Sequence, residues 1–172
     1  MKIFSTSKEQ YLVPYNKKWD GELRSWIINQ KDLQLWSGKT FHNGFSSTAL
    51  EKHRLQKNLF CFALSNDNNH LLAYGELVLG KARSCTLCRV IVRPKDRGIG
   101  MGKRFCSLLI NAASKQLNCR VLALNVLECN KPALACYQSL GFKVDRIQPK
   151  ARLLGNAMEH LVCMSLKLSP IS

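Results

Sequence analysis

The sequence has no apolar run near the roughly 20 residues that a helix needs to cross a bilayer. The apolar run near its start, within MKIFSTSKEQYLVPY, is also too short for a signal peptide. We therefore expect a cytoplasmic protein that does not contact membranes. No repeat, linker or low-complexity segment divides the 172 residues, so the length predicts one domain, residues 1–172.

Acidic residues are scarce as well. The chain holds 11 Asp and Glu against 26 Lys and Arg, which gives a net charge of +15. Residues 81–172 carry 16 of the basic and 4 of the acidic side chains. This half therefore predicts an anionic partner, and nucleic acid, a membrane surface and a phosphate-bearing cofactor all satisfy the charge. A basic face that meets only solvent satisfies it too.

Metal-ligand spacing is missing from the sequence. The Cys85-x-x-Cys88 pair is not followed by a second Cys or His pair, and on a strand its odd separation places the two thiols on opposite faces. The four histidines also lack ligand spacing: His42, His53, His70 and His160. We expect no metal site. We expect the eight cysteines to be free and mostly buried, as in cytosolic proteins.

Hydrophobic residues, 46% of the chain, follow strand and helix periods in turn. Apolar runs predict strands over 10–15, 59–65, 70–80, 85–93, 120–127, 142–148 and 159–168. Helical spacing predicts helices over 17–27, 31–36, 47–58, 100–117 and 131–141. This order predicts an α/β domain with a mixed, mostly antiparallel sheet of about six or seven strands flanked by helices. One strand–helix–strand crossover is expected at 86–127.

Three glycines, Gly98, Gly100 and Gly102, stand between a predicted strand and a predicted helix. The first amides of a helix point outward with the positive end of its dipole, and glycine lets a backbone approach a phosphate. The segment therefore predicts an anion site. It fits neither GxxxxGK[ST] nor GxGxxG, because Lys103 and Arg104 stand where those patterns need glycine or a hydroxyl. A tight turn with close helix packing would use the same glycines.

Two further patterns stand out around these glycines. The turn reads Arg97-x-x-Gly100-x-Gly102, and farther along Asn130, Ala133, Tyr137, Gly141 and Phe142 form the pattern Asn-x-x-Ala-x-x-x-Tyr-x-x-x-Gly-Phe. The first resembles the coenzyme A pyrophosphate loop of the GNAT N-acetyltransferase family, [Gln/Arg]-x-x-Gly-x-[Gly/Ala], and the second resembles another motif of that family. The resemblance covers residues 59–168 and implies an acetyl-CoA-binding core there. It implies that residues 1–58, which match only loosely, form a variable acceptor-side segment.

The resemblance also implies a reaction, the transfer of an acetyl group from acetyl-CoA to a primary amine by direct attack. Backbone amides of the glycine-rich turn would hold the pyrophosphate, and strand backbone before the turn would pair with the pantetheine arm. The implied cofactor contacts are Val90, Ile91, Val92, Arg97, Gly98, Ile99, Gly100, Met101, Gly102, Lys103 and Asn130. An asparagine before Lys-Pro is also an ordinary helix cap.

Tyr137 is the implied general acid, because a neutral phenol can protonate the departing CoA thiolate. A core aromatic residue is the alternative. Some family members, including those that acetylate ribosomal protein N termini, carry a glutamate where this chain has Asn125, which counts against that acceptor. Glu76 and Glu128 are the available acids. We predict Glu76 as the general base, with a solvent-facing strand residue as the alternative.

The acceptor stays open between small molecules and protein amines. Polyamines, aminoglycoside-like compounds, amino acids, lysines and N termini all qualify, although a basic surface opposes polycations unless the pocket is acidic. A nucleic-acid-binding module is the main rival, but no groove-reading or stacking motif is present. A CoA-binding domain without turnover is a further alternative. We expect a monomer or homodimer. Residues 36–45 are expected to wall the acceptor pocket or to cover the core.

Overall fold

The computed structural model describes residues 10–169. Seven strands form one sheet in the order β1-β2-β3-β4-β5-β7-β6. The strands are β1 (Gln10–Pro14), β2 (Leu59–Asn66), β3 (Leu71–Leu79), β4 (Ser84–Val92), β5 (Val121–Leu127), β6 (Lys143–Leu154) and β7 (Ala157–Lys167). The helices are α1 (Asp20–Ser25), α2 (Gln30–Ser37), α3 (Ser47–Arg54), α4 (Met101–Lys115) and α5 (Lys131–Ser139), with 3₁₀ turns at Lys17–Trp19 and Pro94–Asp96.

The predicted fold class is confirmed. Neighbouring strands are antiparallel except β4 and β5, which run parallel and are joined through α4. This is the crossover expected at 86–127, and it follows the rule that parallel neighbours need a long connection. Within residues 10–169, no helix is long and apolar enough to span a bilayer.

Strand β6 is longer than the sequence predicts. The predicted strand ends at residue 148, directly before Pro149, which has no backbone donor for a strand ladder. The strand instead continues through a bulge around Pro149 and Lys150, where its pairing moves from Gln148↔Leu161 to Arg152↔Glu159. The Lys150 amide donates to His160 Nδ1 at 3.2 Å, which replaces a strand hydrogen bond that the bulge interrupts.

The sheet carries a core on each face. Helix α4 buries an apolar stripe that includes Phe105 and Leu109 against one face. Gly75 on β3 lets the helix approach closely, since a Cβ there would lie 2.9 Å from Leu109 Cδ1 and 3.0 Å from Phe105 Cε1. Helices α1 to α3 cover the other face, where Leu23 and Leu50 pack with the fully buried Tyr74.

The expectation that all eight cysteines are free is wrong for one pair. Cys85 and Cys119 form a disulfide that joins β4 to the segment between α4 and β5. The crossover explains this pair, because Ser84 is in register with Val121 and so brings together two thiols that are 34 residues apart. Sequence spacing does not show that register. Six cysteines remain free, from the buried Cys106 to the exposed Cys129.

Candidate functional site

A gap opens between β4 and β5 on one side of the crossover. Their pairing runs from Ser84↔Val121 to Leu87↔Leu124 and ends there. Beyond it, β4 stays paired with β3 and β5 with β7. Among the described residues, the β4 edge that faces β5 therefore has no strand partner after Leu87. An extended ligand can pair with such an edge, and the predicted pantetheine contacts, Val90 to Val92, lie in this part of β4.

A β-bulge lies in the same part of β4. Tyr74 pairs with Ile91 and Glu76 with Cys88, so two β4 residues, Arg89 and Val90, face one residue of β3. Arg89 has a φ of +48°, in the left-handed region that is unfavourable for residues other than glycine. A bulge bends its strand and increases the local twist, which accounts for the divergence of β4 from β5.

The glycine-rich turn leads from β4 into α4. Gly98 has a φ of +78°, and Gly100, the N-cap of α4, has a φ of +84°. Both positions need glycine for their backbone conformation. No described atom outside the adjoining chain lies within 4 Å of a Cβ built on either glycine. The turn therefore presents an open helix N-terminus of the kind that binds phosphate groups.

Basic side chains give this turn a positive charge. The only acid in the turn, Asp96, is ion-paired with Arg93 at 2.5 Å. Arg97, Lys103 and Arg104 are therefore left to set the sign of the local charge. A positive field around a helix N-terminus adds to the helix dipole in attracting an anion.

Tyr137 lies on α5, which follows β5 at the gap. Its side chain is half-buried against the main core, with its ring centroid 5.8 Å from that of Phe142. Burial raises the pKa of Tyr137 far above its ordinary value, and the neighbouring thiols of Cys106, Cys136 and Cys88 add to the shift. The phenol is therefore neutral at physiological pH, which is the state that a general acid requires.

Asn130 stands at the start of α5. Its side-chain oxygen accepts a hydrogen bond from the amide of Ala133 at 3.4 Å. The side chain therefore caps the helix, as an asparagine in this position commonly does. A contact between Asn130 and the cofactor stays a prediction.

Glu76 is enclosed, so the alternative of a solvent-facing strand residue is wrong. Its side chain has no exposed surface. It accepts hydrogen bonds from Tyr74 Oη at 2.6 Å, from His53 Nε2 at 3.0 Å and from Arg89 Nε at 2.5 Å. Burial favours the neutral acid, but the hydrogen bonds from His53 and Arg89, with the Arg89 charge, outweigh it and lower the pKa of Glu76.

His53 links this cluster to a cavity. Gln56 Nε2 donates to the His53 carbonyl at 3.0 Å and lies 2.8 Å from His53 Nδ1. His53 Nε2 donates to Glu76, so Gln56 and Glu76 together fix the orientation of the ring. Arg89 forms an ion pair with the same carboxylate.

The segment 36–45 covers part of the core, and its remaining residues border a cavity. Trp36 Nε1 donates to the Arg89 carbonyl at 2.7 Å, and Phe41 is buried in the core. The rest of the segment borders a cavity of about 390 Å³, lined by Thr40, Phe41, His42, Asn43, Gly44, Ala49, Lys52, His53 and Gln56. Whether an acceptor enters this cavity stays a prediction.

Arg89 and His53 are the site residues that sequence reasoning missed. A signal for Arg89 was present, since Arg89 and Glu76 are single charges in otherwise apolar strands, and such charges are buried only when paired. His53 gave no comparable signal, because it lies three residues after Leu50 on α3, the spacing of an ordinary core residue.

Comparison with known proteins decides the family. Residues 3–142 match the sequence profile of the acetyltransferase (GNAT) family. The chain belongs to this family. As a GNAT acetyltransferase it uses acetyl-CoA as acetyl donor. Among residues 10–169, no group of three or more His, Cys, Asp or Glu side chains is placed to hold a metal ion.

Solved GNAT structures share the fold. The structure is similar to spermidine N-acetyltransferase from Vibrio cholerae in complex with CoA and spermine, with a TM-score of 0.80 and 16% identity over 92% of this chain and 95% of that chain. It is also similar to the spermidine/spermine N-acetyltransferase SpeG from the same organism in complex with manganese ions, with a TM-score of 0.73 and 14% identity over 94% and 93%. Identity this low shows a common fold and leaves the acceptor undetermined.

Proposed function

We propose that the protein transfers the acetyl group of acetyl-CoA to a primary amine by direct attack, with Tyr137 as general acid. The observation that carries this proposal is the convergence of three features at one gap. They are the unpaired β4 edge, the open glycine-rich start of α4 and the neutral phenol of Tyr137. A domain that only stored CoA would need the first two features and would use Tyr137 only as a core aromatic residue.

In the proposed complex, acetyl-CoA lies along β4. The pantetheine arm pairs with the backbone of Val90, Ile91 and Val92, as an added strand would. The pyrophosphate accepts hydrogen bonds from the turn between Gly98 and Lys103, including the amides of Ile99, Met101 and Gly102. Arg97 holds its guanidinium at the end of β4, where Nε donates to the Val92 carbonyl at 2.9 Å. Asn130 borders the other side of the gap.

The proposed chemistry needs one acid and one base. The amine lone pair attacks the thioester carbon, and the tetrahedral intermediate collapses as the carbon–sulfur bond breaks. The departing thiolate takes the proton of Tyr137. The attacking nitrogen loses its second proton as the amide forms, and this proton restores the phenol directly or through solvent. The acceptor ammonium loses its first proton before attack, so the products are the acetylated amine, CoA thiol and one released proton.

Glu76 remains the base predicted from the sequence, in a setting that restricts how it could act. Its carboxylate is fully buried, so a proton from the acceptor would have to travel through a neighbour. His53 is the neighbour that borders the cavity. Proton transfer to a carboxylate of lowered pKa is unfavourable, so this path would support slow turnover at best.

We propose that residues 1–58 form the acceptor side and that the acceptor is a small-molecule or protein amine without a string of further positive charges. The similar V. cholerae enzymes are named for spermidine and spermine. In this chain, the nine residues that line the 390 Å³ cavity include Lys52 and two histidines but no acid. A polycation would gain no ion pair there and would face a net charge of +15.

Calorimetry with acetyl-CoA tests the binding part of this proposal. We expect a Kd in the micromolar range, about −8 kcal/mol. Gly100→Glu should abolish binding, because it places a side chain and a negative charge in the open space beside the turn. Gly102→Ala is the matched control. Its Cβ would lie 3.8 Å from Val92 Cγ2, an ordinary contact, so binding should persist. Wild-type protein that gives no heat with millimolar acetyl-CoA would refute the proposal.

A further inference from the structure

The buried ion pair between β3 and β4 lies directly at the bulge that opens the gap. Arg89 is one of the two bulged residues, and its partner Glu76 belongs to the opposing strand. We propose that Glu76 and Arg89 are positioning residues that hold the β4 bulge in the shape required by the acetyl group. This inference rests on the proposed acetyl transfer and assigns Glu76 a task other than proton abstraction.

Arg89 is held on three sides. Its Nε donates to Glu76 Oε2 at 2.5 Å, and a second guanidinium nitrogen contacts the same oxygen. Its Nη1 donates to Thr40 Oγ1 at 3.0 Å, and its carbonyl accepts from Trp36 Nε1 at 2.7 Å. A strand, a helix and a loop therefore converge on the one residue of β4 whose φ is positive. Backbone conformations of this kind persist where surrounding contacts determine them.

Glu76 is fixed just as firmly. Tyr74 and His53 donate to the carboxylate, and Gln56 in turn orients the His53 ring. The donors favour the ionised form of the carboxylate and keep it oriented toward Arg89. A carboxylate with this set of donors serves as a fixed negative charge, and it accepts a proton poorly.

The conformation of the bulge determines the position of the proposed pantetheine-binding residues, because the two are adjacent in sequence. Val90, the first proposed pantetheine contact, follows Arg89 directly. A change in the Arg89 backbone would therefore displace Val90 to Val92 and the thioester paired with them. The pyrophosphate turn lies at the other end of this segment and begins after Pro94–Asp96. Loss of the ion pair should therefore impair alignment at the reacting carbon more than cofactor binding, since small misplacements of reacting atoms cost up to about 100-fold in rate.

The test compares Glu76→Gln, Arg89→Met and the double variant Glu76→Gln/Arg89→Met. Each single variant leaves a buried group without its partner and is at risk of misfolding. The double variant removes both charges together, so it should fold. Glu51→Gln, on the exposed face of α3, is the matched control for loss of a carboxylate.

For the double variant we expect kcat to fall about 10- to 100-fold at every pH, while the Kd for acetyl-CoA changes by less than about 3-fold. The losses of the two single variants should not add, because both disrupt the same pair. A double variant with wild-type kcat would overturn the proposal. So would an ascending limb of kcat/KM against pH that disappears in Glu76→Gln and persists in Arg89→Met, since that result identifies Glu76 as the base.

Hydrogen exchange separates this proposal from the proposed function. The β4 amides between Cys88 and Val92 that hydrogen-bond to β3 should exchange faster in the double variant than in wild-type protein and Glu51→Gln, with no substrate present. Unchanged exchange there would overturn the positioning role even if the enzyme is active. A wild-type protein that acetylates no amine would refute the proposed acetyl transfer. Faster amide exchange in the double variant would still support the proposal that Glu76 and Arg89 fix the conformation of the β4 bulge.

Discussion

Replacing Tyr137 with phenylalanine removes the proposed acid and preserves its packing. The ring would keep its contact with Phe142, at 5.8 Å between centroids, and its place against the main core. General acid catalysis contributes about 10²- to 10⁴-fold, which equals about 2.7–5.4 kcal/mol of transition-state stabilisation. We expect kcat and kcat/KM to fall together by a factor in this range, because the proton is needed only in the transition state.

The assay is single-turnover acetyl transfer, so that product release does not conceal the chemical step. The Kd for acetyl-CoA and the melting temperature should match the wild type, and Tyr11→Phe on the edge strand β1 is the control for loss of a phenol hydroxyl. Because the pKa of Tyr137 is raised, the active protonated form persists as pH increases. Wild-type activity should therefore show no loss from this phenol up to about pH 10, the ordinary tyrosine value. An unchanged single-turnover rate in Tyr137→Phe would remove the residue from the mechanism.

Four further outcomes are expected. Gly75→Ala should destabilise the fold by about 1–3 kcal/mol through overpacking, which lowers Tm by about 2–12 °C. Gly21→Ala in α1, where a Cβ meets no described atom within 4 Å, should leave Tm unchanged. Equal Tm values for the two variants would contradict the close contact at Gly75. Because the pKa of Glu76 is lowered in the fold, its carboxylate stabilises the protein at pH values above the ordinary carboxyl pKa of about 4.3. The difference in unfolding free energy between wild type and Glu76→Gln should therefore become smaller as pH falls below that value. A difference that stays constant with pH would contradict the shift. The neighbouring Cys106 thiol lowers the pKa of Cys136, so iodoacetamide labelling of Cys136, followed by mass spectrometry, should have a midpoint below the ordinary thiol value of about 8.5. A midpoint at or above that value would contradict the shift. Duplex DNA should bind weakly, with affinity collapsing between about 50 and 200 mM salt; tight sequence-dependent binding at physiological salt would favour the nucleic-acid-binding alternative.

The helices and strands could be predicted because their signals are local. Apolar periodicity located every element within a few residues except the end of β6, and Asn130, Pro132 and Gly141 marked the ends of α5. The glycine-rich turn could be predicted for a similar reason, since Gly98 and Gly100 occupy backbone conformations that favour glycine. Each of these features depends on a few neighbouring residues.

The sequence offered a signal for the Glu76–Arg89 pair, but the full polar cluster and the disulfide could not be predicted, because they depend on which distant residues meet. Glu76 looks like an exposed residue of β3 until α3 brings His53 to it and the β4 bulge brings Arg89. Cys85 and Cys119 meet only because the crossover sets their register. The extent of β6 depended on a bulge that is stabilised from β7.

Thiol release from acetyl-CoA in the presence of a panel of amines tests acetyl transfer most directly. We expect one CoA thiol released for each acetylated amine, loss of the reaction in Gly100→Glu, retention in Gly102→Ala and strong slowing in Tyr137→Phe. Folded protein that binds acetyl-CoA and releases no thiol with small-molecule, peptide N-terminal or lysine amines would contradict the proposed reaction.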